Sequence, residues 1–338
     1  MKSKRIIQLA FLTFLAVGTV LIIRQQQSMP YQHDEGMIFG TVYHIVYQNS
    51  DNLKTEIEAD LKKVDSALSM FNEQSDISRI NRNEDIVPSE MFVDVYRIAE
   101  RVSAETDGAF DITVAPLVNA WGFGFKEGTK PSQQEVDSLL EMVGYEKVSY
   151  QDGRIQKRDS RTMLDCSAIA KGYGCDVVAK LFQKRGVKNF MVEIGGEVAT
   201  SGVNEKREAW RIGVNAPNVN NEGDSGEIEA VLKLKDKALA TSGNYRNFYY
   251  MDGKKYAHTI DPQTGYPVQH NILSATVLAA NCATADAYAT SFMVMGLEGA
   301  KRVLEKHSEL MAYLIYTDEH GDYAIWYSPS MKQRIIEN

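Results

Sequence analysis

The sequence contains little that would support several common kinds of protein. Its 338 residues include only three cysteines, Cys166, Cys175 and Cys282, which are too few and too scattered for a disulfide framework or a cysteine-rich zinc site. Positive charge is also in short supply, because 37 Lys and Arg residues face 45 Asp and Glu residues and give a formal net charge of −8. A protein that grips nucleic acid over a broad surface needs a basic face, so we expect no nucleic-acid partner.

Several familiar catalytic and nucleotide-binding signatures are missing as well. The chain has no G-x-G-x-x-G sequence at the start of a helix, no G-x-x-x-x-G-K-[ST] loop and no G-x-S-x-G elbow. Its six histidines include no H-x-x-x-H pair with metal-ligand spacing. The remaining composition, with 44% hydrophobic and 24% charged residues, is typical of a globular chain and excludes a disordered or collagen-like one.

The first thirty residues differ from this globular average. Basic residues at positions 2, 4 and 5 precede an uncharged run from Ile6 to Ile23, which as a helix would extend about 27 Å, roughly the hydrocarbon thickness of a bilayer. The excess of positive charge before the run predicts that the rest of the chain lies across the membrane. We therefore expect residues 1–30 to be a membrane anchor with one transmembrane helix. The alternative is a cleaved signal segment, with Ala16-Val17-Gly18 as a small-residue cleavage site.

Residues 31–338 show the patterns of an α+β domain. Apolar residues recur every three or four positions between Leu53 and Leu68, which indicates an amphipathic helix, and Ser132 with Glu135 forms a capping box. Because strands and helices follow no steady βαβ rhythm, we expect mixed sheets with packed helices. Further helices are predicted to start at Ser89 and to run from about Ile169 to Lys184 and from about Thr284 to Met295. Strands are predicted at Met37–Tyr47 (with an interruption at Gly40), Phe190–Ile194, Trp210–Val214, Ile228–Leu234, Asn271–Ala279, Met311–Tyr316 and Tyr323–Trp326.

An acid and a hydroxyl occur at helical spacing near residue 290. Asp286 and Thr290 are four positions apart on a predicted helix, so their side chains share one face, and the alanines around them allow close packing. Oxygen ligands of this kind suit a hard cation such as Mg²⁺. An aspartate also stabilises the first turn of a helix, and the residues alone leave both interpretations open.

Three other segments could contribute to a ligand site. Asp165 and Lys171 lie at a strand-to-helix junction, where backbone amides and the lysine could bind an anion, or where the acid could cap the helix beside a solvated lysine. Gly195-Gly196 follows a strand and would allow close approach of a ligand, although a tight turn is the simpler interpretation. His258 lies where a strand-like run meets a turn, a setting in which a lone histidine is more often structural than catalytic.

Taken in order, these segments resemble the ApbE family of FAD:protein FMN transferases, which move FMN from FAD onto a threonine or serine of another protein. The resemblance extends from about residue 38 to residue 291, and although each segment is weak alone, the ordered set is highly specific. It implies an ApbE-like, T-fold-like α+β architecture for residues 31–338. The matching segments are Phe39-Gly40-Thr41, Ser75–Asn81, Gly108–Thr113, Pro116-Leu117 with Trp121–Gly124, Asp165–Asp176, Glu193–Glu197, Ala257–Gly265 and Thr284–Thr290.

The resemblance also implies roles for individual residues. Mg²⁺ would be held by the side chains of Asp286 and Thr290 and by the backbone carbonyl of Ala168. His258 matches the histidine that deprotonates the acceptor hydroxyl. Phe39 stands where the family usually has methionine, and Phe71 where relatives have tyrosine or asparagine. The residues expected to contact FAD, the substrate, are Phe39, Phe71, Ala109, Phe110, Asp111, Asp165, Lys171 and Ile260.

Partners and location follow from the same resemblance. The expected partners are FAD and acceptor proteins, which in the family are subunits of membrane redox complexes or extracytoplasmic flavin domains. This agrees with a domain on the extracytoplasmic side of a bacterial inner membrane. Two other functions stay open: an FAD pyrophosphatase, in which water replaces the protein hydroxyl and FMN and AMP are released, and a non-catalytic FAD-binding protein.

Overall fold

The computed structural model describes residues 2–124, 130–217, 224–244, 248–251, 254–269 and 271–336. Two short 3-10 turns occur in these residues, at Tyr145–Lys147 and Pro329–Arg334. The α-helices are α1 (Lys2–Ser28), α2 (Lys54–Leu68), α3 (Asp76–Asn81), α4 (Glu90–Glu105), α5 (Ala115–Ala120), α6 (Gln133–Leu140), α7 (Ala170–Lys184) and α8 (Cys282–Lys306). The strands are β1 (Tyr31–Ile38), β2 (Thr41–Gln48), β3 (Val148–Gln151), β4 (Arg154–Lys157), β5 (Phe190–Ile194), β6 (Glu197–Ser201), β7 (Trp210–Pro217), β8 (Asp224–Leu234), β9 (Ala238–Gly243), β10 (Phe248–Met251), β11 (Lys254–Ala257), β12 (Ile272–Ala279), β13 (Met311–Thr317), β14 (Tyr323–Tyr327) and β15 (Ile335–Ile336).

The helix starts follow local signals in the sequence. Ser89 caps α4 by accepting a hydrogen bond from the backbone N–H of Phe92. The capping box before α6 is complete, because the Ser132 hydroxyl accepts from the N–H of Glu135 while the Glu135 carboxylate accepts from the N–H of Ser132. The helices predicted after Ser89 and beside this capping box are therefore confirmed.

An eight-stranded sheet forms the centre of the fold, in the order β1-β2-β5-β6-β9-β12-β13-β14. Every neighbouring pair in it is antiparallel. Short turns join β1 to β2, β5 to β6 and β13 to β14, and strands joined in this way must run antiparallel. The predicted α+β class is confirmed, whereas the strand pairing in this sheet is antiparallel rather than mixed. A second sheet has the order β15-β8-β7.

The two faces of the central sheet bury different neighbours because side chains alternate along each strand. On β13, Ala312 and Leu314 belong to the core formed with α4 and α8. The intervening Tyr313 and Ile315 pack against the three-stranded sheet, in a core that includes Leu232. The helices therefore cover one face of the sheet and the small sheet covers the other.

Helices α7 and α8 approach each other unusually closely at their first turns. A Cβ atom built on Gly172 would lie only 2.5 Å from the carbonyl oxygen of Cys282. The neighbouring residues of α8 are small, with Ala283, Ala285 and Ala287 fully buried. Close packing here positions the start of α7 beside Asp286, one of the candidate site residues.

Replacing Gly172 with alanine is expected to lower the thermal unfolding midpoint, because the added methyl group would collide with backbone atoms that cannot rotate away. Overpacking of this kind typically costs about 1–3 kcal/mol. Thermal unfolding followed by circular dichroism measures the effect. Gly213→Ala is the matched control, since its Cβ would lie 3.4 Å from the nearest atom, in ordinary contact. Equal midpoints for the two variants would contradict the close helix contact.

The N-terminal segment forms a helix, α1, where the sequence predicts a membrane span. Over the residues that the structure describes, however, no helix is both long and apolar enough to cross a bilayer. The predicted transmembrane helix is therefore not supported.

Candidate active site

A cavity of about 380 Å³ collects residues from six separated parts of the chain. Ten of the twelve residues predicted for the site line it, namely Ala109, Phe110, Asp111, Asp165, Ala168, Lys171, His258, Ile260, Asp286 and Thr290. A larger groove of about 660 Å³ lies beside Asp176 and contains none of the predicted residues. The smaller cavity is therefore the candidate active site, because the chemically useful side chains converge there.

Helix α8 directs Asp286 and Thr290 into the cavity from one face. Asp286 is only 2% exposed, and its Oδ2 atom accepts a hydrogen bond from the backbone N–H of Gly172 at 3.1 Å. The Thr290 hydroxyl lies 3.2 Å from the hydroxyl of Ser242 on β9. The two oxygen groups therefore lie between the first turn of α7 and the centre of the sheet. The capping interpretation of Asp286 does not apply, because Asn281 is the residue that caps α8.

Lys171 lies between two buried carboxyl groups. Its Nζ atom is 3.4 Å from Oε1 of Glu197, and its side chain is 28% exposed because it faces the cavity. Burial by itself would lower the pKa of Lys171, but the charges of Asp286 and Glu197 outweigh it and hold that pKa above its ordinary value. A raised pKa keeps the lysine charged, so it can attract an anionic group into the cavity.

The two carboxyl groups beside Lys171 are both buried, which disfavours their charged forms. Burial raises the pKa of Asp286, against the opposing effects of Lys171 and the Gly172 N–H. Burial also raises the pKa of Glu197 to about 8, again opposed by Lys171. The Oε2 atom of Glu197 is buried without a hydrogen-bond partner. A cation bound in the cavity would favour the charged forms of these carboxyl groups.

The ligands present suit Mg²⁺ better than a softer metal. Asp286 offers a carboxylate, Thr290 a hydroxyl and Ala168 a backbone carbonyl, all oxygen donors at the cavity wall. The described part of the chain has no group of three or more His, Cys, Asp or Glu side chains placed to hold a metal ion. Mg²⁺ commonly takes one or two carboxylates and completes its shell with water and substrate phosphates, so this donor set fits.

Another part of the cavity wall is built from two loops that bind each other. The backbone N–H of Asp165 donates to the carbonyl of Ile112, and the Asp165 carboxylate accepts from the N–H of Ser167 at 2.7 Å. Asp111 accepts two hydrogen bonds of 2.7 Å from Thr113, one from its N–H and one from its hydroxyl. These contacts leave Ala109 and Phe110 at the cavity, where an aromatic or sugar group could lie against them.

Asp111 makes the stability of this loop dependent on pH. Burial raises its pKa to about 6, although the bonds from Thr113 oppose the shift. The neutral form is thus favoured in the folded protein, and its stabilising contribution is full below about pH 4 and is lost as the pH rises through 6. We therefore expect the unfolding free energy of wild type, measured against that of Asp111→Asn at the same pH, to fall by up to about 3 kcal/mol from pH 4 to pH 7.

Denaturant unfolding at pH 4, 5, 6 and 7 measures this difference. Asp107→Asn removes an acid from the exposed start of the same loop and serves as the control, which should follow the wild-type curve. A constant difference between wild type and Asp111→Asn across the range would show that Asp111 is not responsible.

His258 enters the cavity from a hairpin at residues 258–268. The carbonyl of Thr259 accepts from the N–H of Val268 at 3.0 Å, and the Trp121 indole N–H donates to the carbonyl of Gly265 at 2.8 Å. The His258 ring packs edge-on against Phe123, with centroids 6.4 Å apart. The hairpin therefore holds the imidazole at the cavity rather than in the core, as the sequence alone could not decide.

Two predicted flavin contacts lie away from the cavity. Phe39 occupies the β1–β2 turn with a φ of 51°. Its ring packs so closely against α7 that a Cβ atom built on Gly174 would lie 2.7 Å from it. Phe71 follows α2 and is 75% exposed. Neither residue lines the cavity.

Two side chains at the site were not among the residues predicted for it. Glu197 begins β6 and pairs with Lys171, and Ser242 on β9 contacts Thr290. An acid directly after Gly195-Gly196 could have signalled Glu197, since charged residues are rarely buried without a purpose. Nothing in the sequence near Ser242 distinguishes it from an ordinary strand residue.

An antiparallel α+β fold with a lysine, buried acids and a histidine converging on one cavity is the arrangement expected of an enzyme that acts on an anionic small molecule. Comparisons with known proteins give the family, because the ApbE family model matches residues 39–315. The chain is 37% identical over 298 residues to the FAD:protein FMN transferase of Vibrio cholerae serotype O1, covering 85% of this chain and 88% of that protein. It is 34% identical over 317 residues to the FAD:protein FMN transferase of Escherichia coli K12, with coverage of 89% and 88%.

Solved structures agree with this assignment. The flavin transferase ApbE from Vibrio cholerae matches with a TM-score of 0.82 and 35% identity, covering 90% of this chain and 99% of that one. The apo form of the Pseudomonas stutzeri flavinyl transferase ApbE matches with a TM-score of 0.80 and 29% identity, covering 90% and 97%. The chain belongs to the ApbE family.

Proposed function

We propose that this protein transfers FMN from FAD to a threonine or serine hydroxyl of an acceptor flavoprotein and releases AMP. The relatives described above are named FAD:protein FMN transferases, which supports FMN transfer from FAD to a protein. The observation that carries the proposal is the convergence of His258, Lys171 and Asp286 on one cavity, although they come from three distant parts of the chain.

The chemical step is a substitution at phosphorus. The acceptor hydroxyl oxygen attacks the phosphorus on the riboflavin side of the pyrophosphate, a new phosphoester bond forms, and the bond from that phosphorus to the AMP oxygen breaks. AMP leaves with the electron pair of the broken bond. His258 accepts the hydroxyl proton, and general-base help of this kind is worth about 10²–10⁴-fold in rate. Lys171 attracts the pyrophosphate and offsets its charge.

The proposal includes Mg²⁺ as the resident cofactor. Asp286, Thr290 and the carbonyl of Ala168 would hold it, and its chemistry there is to neutralise the pyrophosphate oxygens. Glu197 and Lys171 lie beside this position and adjust the charge of the cavity. The flavin nucleotide itself would rest on the loops that carry Ala109, Phe110, Asp111, Asp165 and Ile260.

The test is incubation of the purified chain with FAD, Mg²⁺ and an acceptor domain that carries a single candidate threonine. We expect yellow fluorescence that stays with the acceptor in a denaturing gel, a mass increase equal to one FMN, and one AMP for each FMN attached. An acceptor with that threonine replaced by alanine is the control. Free FMN with AMP would instead establish an FAD pyrophosphatase, and retained FAD without AMP a non-catalytic binding protein.

We further propose that the enzyme works on the extracytoplasmic side of a bacterial inner membrane. The basic residues at positions 2, 4 and 5, followed by the uncharged run at 6–23, support export of residues 31–338. The acceptors would then be subunits of membrane redox complexes or extracytoplasmic flavin domains. Protease digestion of spheroplasts tests the location, since an exported domain is degraded and a cytoplasmic one is protected. The N-terminal sequence of the mature protein distinguishes a retained anchor from a cleaved signal segment.

A further inference from the structure

Helices α7 and α8 exchange hydrogen bonds at their first turns. The backbone N–H of Gly172 on α7 donates to Oδ2 of Asp286 on α8 at 3.1 Å. In return, the N–H groups of Cys282 and Ala283 on α8 donate to Oδ1 and Oδ2 of Asp176 on α7 at 2.7 and 2.8 Å. Each helix therefore supplies backbone donors to a carboxylate of the other.

The donor and the acid have the same spacing on both helices. Asp176 follows Gly172 by four positions, and Asp286 follows Cys282 by four positions. Four residues make about one helical turn, so on each helix the donor and the acid lie on one face. First-turn N–H groups lack a partner within their own helix, and a carboxylate is a strong acceptor for them. The two acids therefore satisfy these donors and hold the helix starts together.

The bond from Gly172 affects two of the groups proposed to hold Mg²⁺. It uses Oδ2 of Asp286, so Oδ1 is the oxygen left for a ligand in the cavity. The residue four positions before Gly172 is Ala168, whose carbonyl would accept from Gly172 in a continuous helix. Over the residues that the structure describes, no backbone hydrogen bond joins these two. The bond to Asp286 therefore also leaves the carbonyl of Ala168 for another partner.

We propose that Asp176 is a positioning residue for the metal site, which it supports without touching the metal. It holds the start of α8 through Cys282 and Ala283, and so keeps Asp286, one turn further along, within reach of the Gly172 N–H. Loss of contacts that hold metal ligands in place typically weakens metal binding about 10–100-fold. This inference rests on the metal site of the proposed function.

Asp176 lies at a different cavity from the acid it supports. It lines the groove of about 660 Å³ described above, whereas Asp286 lines the active-site cavity. A substitution at Asp176 therefore removes no group from the wall of the active site. Asp94 lines the same groove and accepts from the Tyr173 hydroxyl at 3.2 Å, a bond that involves no residue of α8. Asp94→Asn is therefore the matched control.

The first test measures metal binding by Asp176→Asn in the full chain. Asparagine keeps the size of the side chain, but its NH₂ group replaces one carboxylate oxygen and cannot accept from a backbone N–H. Binding of Mn²⁺ alone, followed by loss of the EPR signal of the free ion, should weaken about 10–100-fold. Asp94→Asn removes the same charge from the groove and should bind Mn²⁺ as wild type does. Equal affinity of wild type and Asp176→Asn would overturn the proposal.

Amide hydrogen exchange tests the reciprocal bonds without any metal. In Asp176→Asn, exchange should become faster at Cys282 and Ala283, which lose an acceptor directly, and also at Gly172 on the other helix. Gly172 is the decisive position, because an acid that merely caps α8 would not affect it. Unchanged exchange at Gly172 would overturn the proposal.

The dependence of FMN transfer on Mg²⁺ gives a third readout. Asp176→Asn should need about 10–100-fold more Mg²⁺ for half of its maximal rate and should approach the wild-type rate at saturation. A rate reduced equally at every Mg²⁺ concentration would indicate a general structural fault and contradict the proposal. If Asp176→Asn does not fold, Asp176→Glu, which displaces the carboxylate but keeps its charge, takes its place with the same expected direction. Failure of wild type to bind Mn²⁺ would instead refute the proposed metal site, and exchange at Gly172 would still decide whether Asp176 holds Asp286.

Discussion

Replacement of His258 with alanine is expected to slow FMN transfer by about 10²–10⁴-fold while FAD affinity changes only a few-fold. The reason is that the imidazole accepts the proton of the acceptor hydroxyl, whereas the groups placed to hold the nucleotide come from other parts of the wall. Lys171 and the loop at 165–168 stay in place when the imidazole is removed, because their contacts are with Glu197, Ile112 and α8.

Two measurements separate the base from a binding residue. Single-turnover transfer at saturating FAD reports the chemical step, and quenching of flavin fluorescence reports FAD affinity. His307→Ala is the matched control, because His307 lies at the end of α8, beside Tyr288, and does not line the cavity. Loss of FAD binding in a folded His258→Ala protein would make His258 a binding residue. An unchanged transfer rate would remove it from the mechanism.

Local sequence patterns predicted the outer elements of the fold better than the centre of the sheet. Helix α4 has a capping serine and a regular apolar face, so its start and length could be predicted without tertiary information. Strands β6 and β9 were not predicted, because their sequences, Glu197–Ser201 and Ala238–Gly243, are rich in small residues and lack clear alternation. They are strands because neighbouring strands of the sheet pair with them. This pairing cannot be predicted from a short stretch of sequence.

The end of α8 shows a similar limit. The sequence predicts that this helix stops at Met295, and the backbone does leave helical geometry at the next residue, Gly296, with a φ of 71°. The chain then resumes helical geometry and continues to Lys306. The predicted end at Met295 is therefore wrong, because the residues beyond Gly296, with Ala300 and Val303 buried in the main core, pack as a continued helix.

In the candidate site, too, local relations could be predicted from the sequence, whereas contacts that depend on tertiary packing could not. Spacing alone placed Asp286 and Thr290 on one helix face, as the structure has them, since that relation is local. The proximity of Lys171 to Asp286 depends on the α7–α8 contact and could be expected only through the family resemblance. The place of Glu197 beside Lys171 is a product of that same packing, and no spacing rule reveals it.

Asp286→Asn is expected to lower the transfer rate by about 10²–10³-fold and to abolish its dependence on Mg²⁺. The amide oxygen can still accept the hydrogen bond from the Gly172 N–H, so the change removes charge while preserving shape. Lys171 then faces Glu197 alone, and the cavity loses the one carboxylate placed on the same helix face as Thr290. Transfer rates over a Mg²⁺ titration, after removal of metal with a chelator, measure both effects.

Stability tells a functional role of Asp286 from a structural one. Burial raises the pKa of Asp286, which means that its charged form is costly in the folded protein. A neutral asparagine should therefore keep or raise the thermal midpoint even as activity falls. Asp34→Asn is the control, because Asp34 is also a buried acid but accepts its hydrogen bonds from Tyr47 and Asn52, away from the cavity. This variant should keep full Mg²⁺-dependent activity. Full activity of wild type after exhaustive chelation would refute the metal assignment. An unchanged or raised midpoint would indicate a functional role, because a buried charge that destabilises the fold is retained only where it serves function. A large fall in the midpoint of Asp286→Asn would instead make the carboxylate a structural group.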